Sequence, residues 1–220
     1  MLQEFLVQLK KQLTSELPGV EAHRKMASYL RITAEQALNR KKNVRLSAVL
    51  LLLYAKKESI HTLLIQRPTY KGVHSAQMAF PGGRKEPEDK NLQQTALRET
   101  EEELGISRNK INIVGQMTKV YIPPSRYIVA PYIGYMDEPP TLIPDPKEVA
   151  EVVSVSLNEL LAPETIKKAK VAVGKYKMKL KVPCFDVQQR IVWGATAMMI
   201  SEFRDIVYHN DLIYKNLDIC

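Results

Sequence analysis

Apolar and polar positions change their period several times along the chain. Over residues 2–15 apolar side chains recur at helical spacing between charged ones, which predicts an amphipathic helix. Thr33-Ala-Glu-Gln-Ala-Leu predicts a short second helix whose N-cap is Thr33. From Val44 the pattern belongs to strands. Residues 44–54 and 61–67 are rich in β-formers and flank the polar turn Ala-Lys-Lys-Glu-Ser, which predicts a hairpin. Its stretch LSAVLLLLYA is the longest apolar run, too short to span a bilayer and suited to a buried strand. A Pro-Gly-Gly turn at 81–83 and a polar loop precede a helix predicted from about Asn91 to Leu104. Gly105 follows in the position of a left-handed C-cap. Strands are predicted at 110–118, 127–136 and 148–156, a short helical stretch near 157–161, a second hairpin at about 168–182, and a last helix at about 195–208. Hairpins and crossovers in this order predict an α+β chain, an α/β/α sandwich around a mixed sheet.

A chain of 220 residues with 45% hydrophobic and 25% charged positions fits one substantial domain. The division expected is a helical extension over 1–40 packed on a domain over 41–220. The opening MLQEFLVQLKKQLTSEL lacks the continuous apolar region of a secretory signal, so a soluble, cytoplasmic protein without a membrane partner is expected. Cys184 and Cys220 stand in no ligand spacing, and neither a disulfide nor a zinc site is expected. The formal charge of +8 attracts polyanions without selecting among them. Lys175, Lys177, Lys179 and Lys181 alternate with Tyr176, Met178 and Leu180, which puts four ammonium groups on one strand face. Such a face guards an edge against aggregation or draws in an anionic substrate. It has no interleaved stacking platform, so nucleic acid is not an expected partner. Trp193, Met198 and Met199 read as core.

The chemistry lies in Arg98-Glu99-Thr100-Glu101-Glu102-Glu103-Leu104-Gly105-Ile106. On a helix, Glu99, Glu102 and Glu103 fall within an arc of about 100°, whereas Glu101 points nearly the opposite way. Three like charges so close repel, and a sequence that concentrates them calls for a compensating cation. Ligands that are all oxygen suit Mg²⁺ or Mn²⁺, hard ions that also bind substrate phosphates. Arg98 lies beside this face and can brace the carboxylates through its planar fork. Gly82 and Gly83, one loop upstream, let backbone approach a phosphate or bend sharply around the helix start.

These residues resemble the Nudix box, in which a Gly, five residues and a Glu precede an Arg-Glu-apolar-any-Glu-Glu-any-Gly-apolar helix. Here Asp89 replaces the first Glu, one extra residue precedes Arg98, and Thr100 takes an apolar position. The resemblance implies that Glu99, Glu102 and Glu103 are metal ligands. Upstream, the segment from Leu63 to Gly83 carries Arg67, His74, Gln77, Phe80, Gly82 and Gly83 at the spacing of the coenzyme A pyrophosphatase branch, which also shares the longer box with an Asp. Ala76 stands where that branch usually has Gly. The similarity continues through Ser125 to Gly134, Glu148 to Val152 and Trp193 to Ala197, so it covers roughly residues 45–205.

The branch implies metal-dependent cleavage of coenzyme A or its derivatives to 4′-phosphopantetheine and adenosine 3′,5′-bisphosphate, with Arg67, His74, Gln77, Phe80, Gly82 and Gly83 toward the substrate. Glu99 is a candidate proton acceptor by its place on the face. Glu148 is another, because Nudix enzymes often recruit the base from outside the box. Within the class, the rival substrates are nucleoside triphosphates, dinucleotides and ADP-ribose. A non-catalytic nucleotide- or RNA-binding Nudix module is the rival from another class, and the intact carboxylate set argues against it. Homo-oligomerisation is left open.

Overall fold

The computed structural model describes residues 2–27, 32–39, 43–69, 76–173 and 178–208. The long apolar run forms the spine, β1 (Arg45–Lys56). It pairs antiparallel with β2 (Ser59–Gln66) through a turn in which Lys57 takes φ 54°, and parallel with β7 (Tyr127–Met136) over ten register pairs from Arg45↔Tyr127 to Tyr54↔Met136. The short β3 (Met78–Ala79) extends β2, and β4 (Gly82–Arg84) lies antiparallel on the first half of β1. β5 (Asn112–Gln116) and β6 (Val120–Ile122) pair with β7, and β8 (Glu151–Ser156) pairs with β2. One parallel pair among antiparallel ones makes the sheet mixed, as the element order predicts. A separate three-stranded sheet contains the second hairpin, β9 (Ile166–Val173) and β10 (Met178–Val187), with β11 (Arg190–Trp193) on its other side.

β1 shows why the sheet is covered on both faces. Ala48, Leu50, Leu52 and Tyr54 point into one core with Ala96 and Leu104 of α4 (Leu92–Leu104). Leu51 and Leu53 point into the other, with Phe5 and Leu9 of α1 (Leu2–Leu13) and Ile200 and Phe203 of α6 (Gly194–Tyr208). The period of two on a strand thus sends alternate apolar side chains to opposite layers. In α1 the buried residues are Leu2, Phe5, Leu6 and Leu9, a helical stripe whose burial contributes roughly 1.5–3 kcal/mol per side chain. The first helix is therefore part of the main core.

α2 (Gly19–Met26) was not foreseen from the sequence. It is tied to α6 by a buried hydrogen bond of 2.8 Å between His23 Nε2 and Glu202 Oε2, and by Ser201 Oγ donating to Ala22 O at 2.8 Å. α3 (Ala34–Asn39) begins at Thr33 as expected: Thr33 Oγ1 accepts from the Gln36 amide and Gln36 Oε1 accepts from the Thr33 amide, a reciprocal cap. α5 (Leu157–Leu161) follows β8 with Ser156 as its N-cap. The strand expected from 148 begins at Glu151, because the amides of Glu148 and Val149 both turn back to Asp145 O. β3, β4, β6 and β11 are two to four residues long, too short to show a period. Cys184 is buried and free, and Cys220 lies outside the described residues. Lys179 and Lys181 are exposed, while Lys175 and Lys177 lie outside the described residues. Among the described residues no helix is long and apolar enough to cross a membrane.

Candidate active site

α4 presents the acidic face, and both of its ends are set by local chemistry. Asn91 Oδ1 caps the start by accepting from the Gln94 amide at 2.9 Å. Gly105 closes the end at φ 70°, its amide donating to Glu101 O at 2.8 Å, and a side chain there would collide with Ile143. Thr100, in the position where the Nudix pattern has an apolar residue, is fully buried, and its hydroxyl returns to Ala96 O at 2.8 Å. Satisfied inside its own helix, it packs as an apolar residue would.

Arg98 is the hub of the helix. Its Nε and Nη2 donate to the two oxygens of Asp89 at 3.1 and 3.0 Å, Nη2 also donates to Arg84 O at 2.9 Å, and Nη1 donates to Glu102 Oε2 at 2.8 Å. Nη2 lies 3.0 Å from Glu99 Oε1 as well. Asp89 is buried and further held by the Thr95 hydroxyl and the Glu86 amide, both at 2.9 Å. The Arg98 guanidinium holds its carboxyl well below the usual range, at about 2. The short acid of the box thus anchors the arginine through a bidentate pair. That role was not read from the sequence, where Asp89 stood out only as a departure.

The Pro81–Gly82–Gly83 turn seats the carboxylates. Gly82 adopts φ 148°, and a Cβ there would run into the backbone of Ala48 and Val49 on β1. Its amide donates to Glu103 Oε2 at 2.7 Å, while its carbonyl accepts from Arg67 Nη2 at 2.7 Å. A Cβ on Gly83 would overlap the Glu99 carboxylate. The two glycines are therefore required by the approach of the turn to β1 and to two acids.

Glu99, Glu103 and Glu148 converge: one carboxylate oxygen from each lies within 4.8 Å of the others. Glu148 comes from the turn after Asp145, whose amide donates to Glu103 O at 3.0 Å and so locks that loop to the end of α4. Burial pushes Glu103, 2% exposed, up to about 8 against the opposing influence of Arg67, 3.9 Å away, and the Gly82 amide. Burial also raises Glu99, with Arg98 opposing. Three acids held together in this way fit a hard divalent cation, which reverses the cost of gathering and desolvating them. Glu102 is not in this group; it is exposed and paired with Arg98. Glu101 points away, as expected, and accepts from Arg108 Nε at 2.5 Å.

The upstream residues fall into distinct places. Arg67 bridges toward Gly82 and Glu103, as above. Phe80 is 2% exposed in the main core, where it seats the turn rather than lining an open surface. Gln77 follows Ala76, and its carbonyl accepts from the Arg67 amide at 3.1 Å. Ala76, at the branch's usual glycine position, takes φ 55°, a left-handed conformation that explains the preference for Gly there. His74 lies outside the described residues.

The NUDIX domain family matches residues 44–176, which contain every one of these acids. The chain belongs to the Nudix family. It is 34% identical over 160 residues to the uncharacterized Nudix hydrolase NudL of Photorhabdus laumondii, covering 73% of this chain and 83% of that protein. The NudL of Yersinia enterocolitica is 30% identical over 154 residues, covering 70% and 77%. Among solved structures, a MutT/nudix family protein from Enterococcus faecalis superposes with a TM-score of 0.52 at 18% identity, covering 85% of this chain and 75% of that one, a likeness of fold. As a Nudix hydrolase the chain acts on nucleoside diphosphate derivatives with a divalent metal ion.

Proposed function

We propose that this Nudix hydrolase cleaves the diphosphate of coenzyme A or its derivatives, releasing 4′-phosphopantetheine and adenosine 3′,5′-bisphosphate. Convergence of Glu99, Glu103 and Glu148 beside the Gly82–Gly83 turn carries the hydrolytic reading. The choice of coenzyme A is supported by the segment from Arg67 to Gly83, which feeds into that turn and resembles the coenzyme A branch.

In this reading Glu99 and Glu103 would hold Mg²⁺ or Mn²⁺, with Glu102 as a further ligand from the exposed side of the helix, and Glu148 stands beside them as the free carboxylate. A divalent ion held by these carboxylates would supply charge neutralisation of the diphosphate oxygens and a more acidic water. Arg98 keeps Glu99 in place through their 3.0 Å contact, itself anchored by Asp89. Glu99 is thereby engaged, whereas Glu148 is exposed and takes the proton of the attacking water. The water oxygen forms the new bond to phosphorus as the bridging P–O bond breaks, and the other phosphate departs with its electron pair. On the resemblance to the coenzyme A branch, His74, Gln77 and Arg67 would contribute to substrate binding.

The test is a substrate panel with Mg²⁺ or Mn²⁺: coenzyme A, acyl derivatives, ADP-ribose, dinucleotides and nucleoside triphosphates. Coenzyme A or an acyl derivative should give the highest kcat/KM. A triphosphate or ADP-ribose in first place would remove the coenzyme A assignment and leave the hydrolase.

A further inference from the structure

A second concavity lies outside the carboxylate site. A half-open cavity of about 310 Å³ is enclosed by α2, the start of α3, β6 and α6. Only the β6 side falls within the Nudix match at 44–176, so most of its wall is built by helices added to the catalytic fold. Its volume is at the lower end of pockets that hold small organic molecules.

The lining has two characters. Val20, Ile32, Val120 and Met198 form an apolar surface. Arg24 and Lys119 bring positive charge. Arg24 is already paired with Glu21 on its own helix, but Lys119 makes no ion pair or side-chain hydrogen bond among the described residues. His23 also lines the cavity, and the acid behind it is committed: Glu202 Oε2 meets His23 Nε2, and Oε1 accepts from the Thr118 amide at 3.1 Å. Among the described residues that line the cavity no carboxylate offsets Lys119.

Tyr121 adds an independent indication. It is 4% exposed, yet its hydroxyl has no hydrogen-bond partner among the described residues, and the residue borders the cavity. A phenol hydroxyl on the wall of a cavity can donate a hydrogen bond to the carboxylate of a ligand held there.

We propose that this cavity binds a small amphiphilic monoanion, a carboxylate on an apolar body, with the carboxylate at Lys119 and Tyr121 and the body against Val120 and Met198. Among the described lining residues one ammonium without an ion pair, Lys119, matches one negative charge, and the apolar lining requires a body that water solvates poorly. The site is independent of the hydrolytic reading, because none of its groups belongs to the carboxylate cluster.

The experiment titrates octanoate into the full chain carrying ¹³C-methyl methionine and follows the Met198 methyl signal, assigned with Met198→Leu. The Met198 signal should move and saturate with a Kd at or below about 1 mM. Lys119→Gln, at an exposed position the fold does not depend on, should weaken binding about tenfold, the loss expected of one charge-assisted hydrogen bond. Tyr121→Phe should weaken it several-fold, and 1-octanol should bind at least about tenfold more weakly than octanoate. Octanol binding as tightly as octanoate, an unchanged Kd in Lys119→Gln, or a Met198 signal unmoved at about 10 mM octanoate would each overturn the proposal.

Discussion

The amide of Gly82 donates to Glu103 Oε2 at 2.7 Å, joining the turn before the Nudix helix to the most buried acid on it. Glutamine at 103 can accept the same hydrogen bond without the charge that burial disfavours. Glu103→Gln should therefore remain folded in the absence of metal while losing more than about nine-tenths of turnover at saturating metal, as expected for a lost ligand. Circular dichroism with steady-state rates checks both halves, and a variant retaining more than that residue of activity would remove Glu103 from the metal site.

Glu148 is exposed and stands within 4.8 Å of the oxygens of Glu99 and Glu103, a position that suits a proton acceptor or a ligand. As the acceptor, Glu148→Gln should lower kcat by about 10²-fold with little change in metal affinity, and the deficit should shrink as rising pH supplies hydroxide. Metal titrations and rates at two pH values separate the roles. A variant whose only defect is weaker metal binding moves the base to another group.

Asp89 predicts a dependence of stability on acid. Its carboxyl sits at about 2 in the folded chain against an ordinary 3.8, chiefly because of Arg98. A depressed carboxylate contributes stability that is present above the ordinary value and lost as pH falls through the folded one. Asp89→Asn should cost about 2 kcal/mol at pH 7, and the gap from wild type should narrow as pH falls from about 4 toward 2. Urea unfolding at pH 7 and pH 3 measures it; an equal gap at both would exclude the Asp89–Arg98 charge pair as the source.

Ala76 carries a left-handed strain at φ 55°. Glycine adopts that conformation without a Cβ clash, so Ala76→Gly should stabilise the protein by about 0.5–1 kcal/mol, the relief of strain exceeding the added flexibility of the unfolded chain. The midpoint of chemical denaturation should rise. A fall would mean that position 76 gains from alanine in some way other than its backbone angle.

Much of the fold was legible because it rests on local rules. The alternation in β1, the Asn91 and Gly105 caps of α4, the α1 stripe and the Thr33 cap all act within a few residues, where period and capping chemistry are written in the sequence. The same helical spacing put Glu99 and Glu103 on one face and Glu101 on the other. What spacing could not decide was which acids meet. Glu102 shares the helical arc yet faces outward to Arg98, while Glu148, 45 positions beyond Glu103, swings in through the Asp145 turn. Helical geometry fixes the direction of a side chain relative to its own axis; the layer that packs against that axis fixes whether it meets solvent or another chain segment. Asp89 as the anchor of Arg98, the glycine turn pressed against two carboxylates, and the cavity between α2 and α6 are long-range consequences of that packing, and only the tertiary structure decided them.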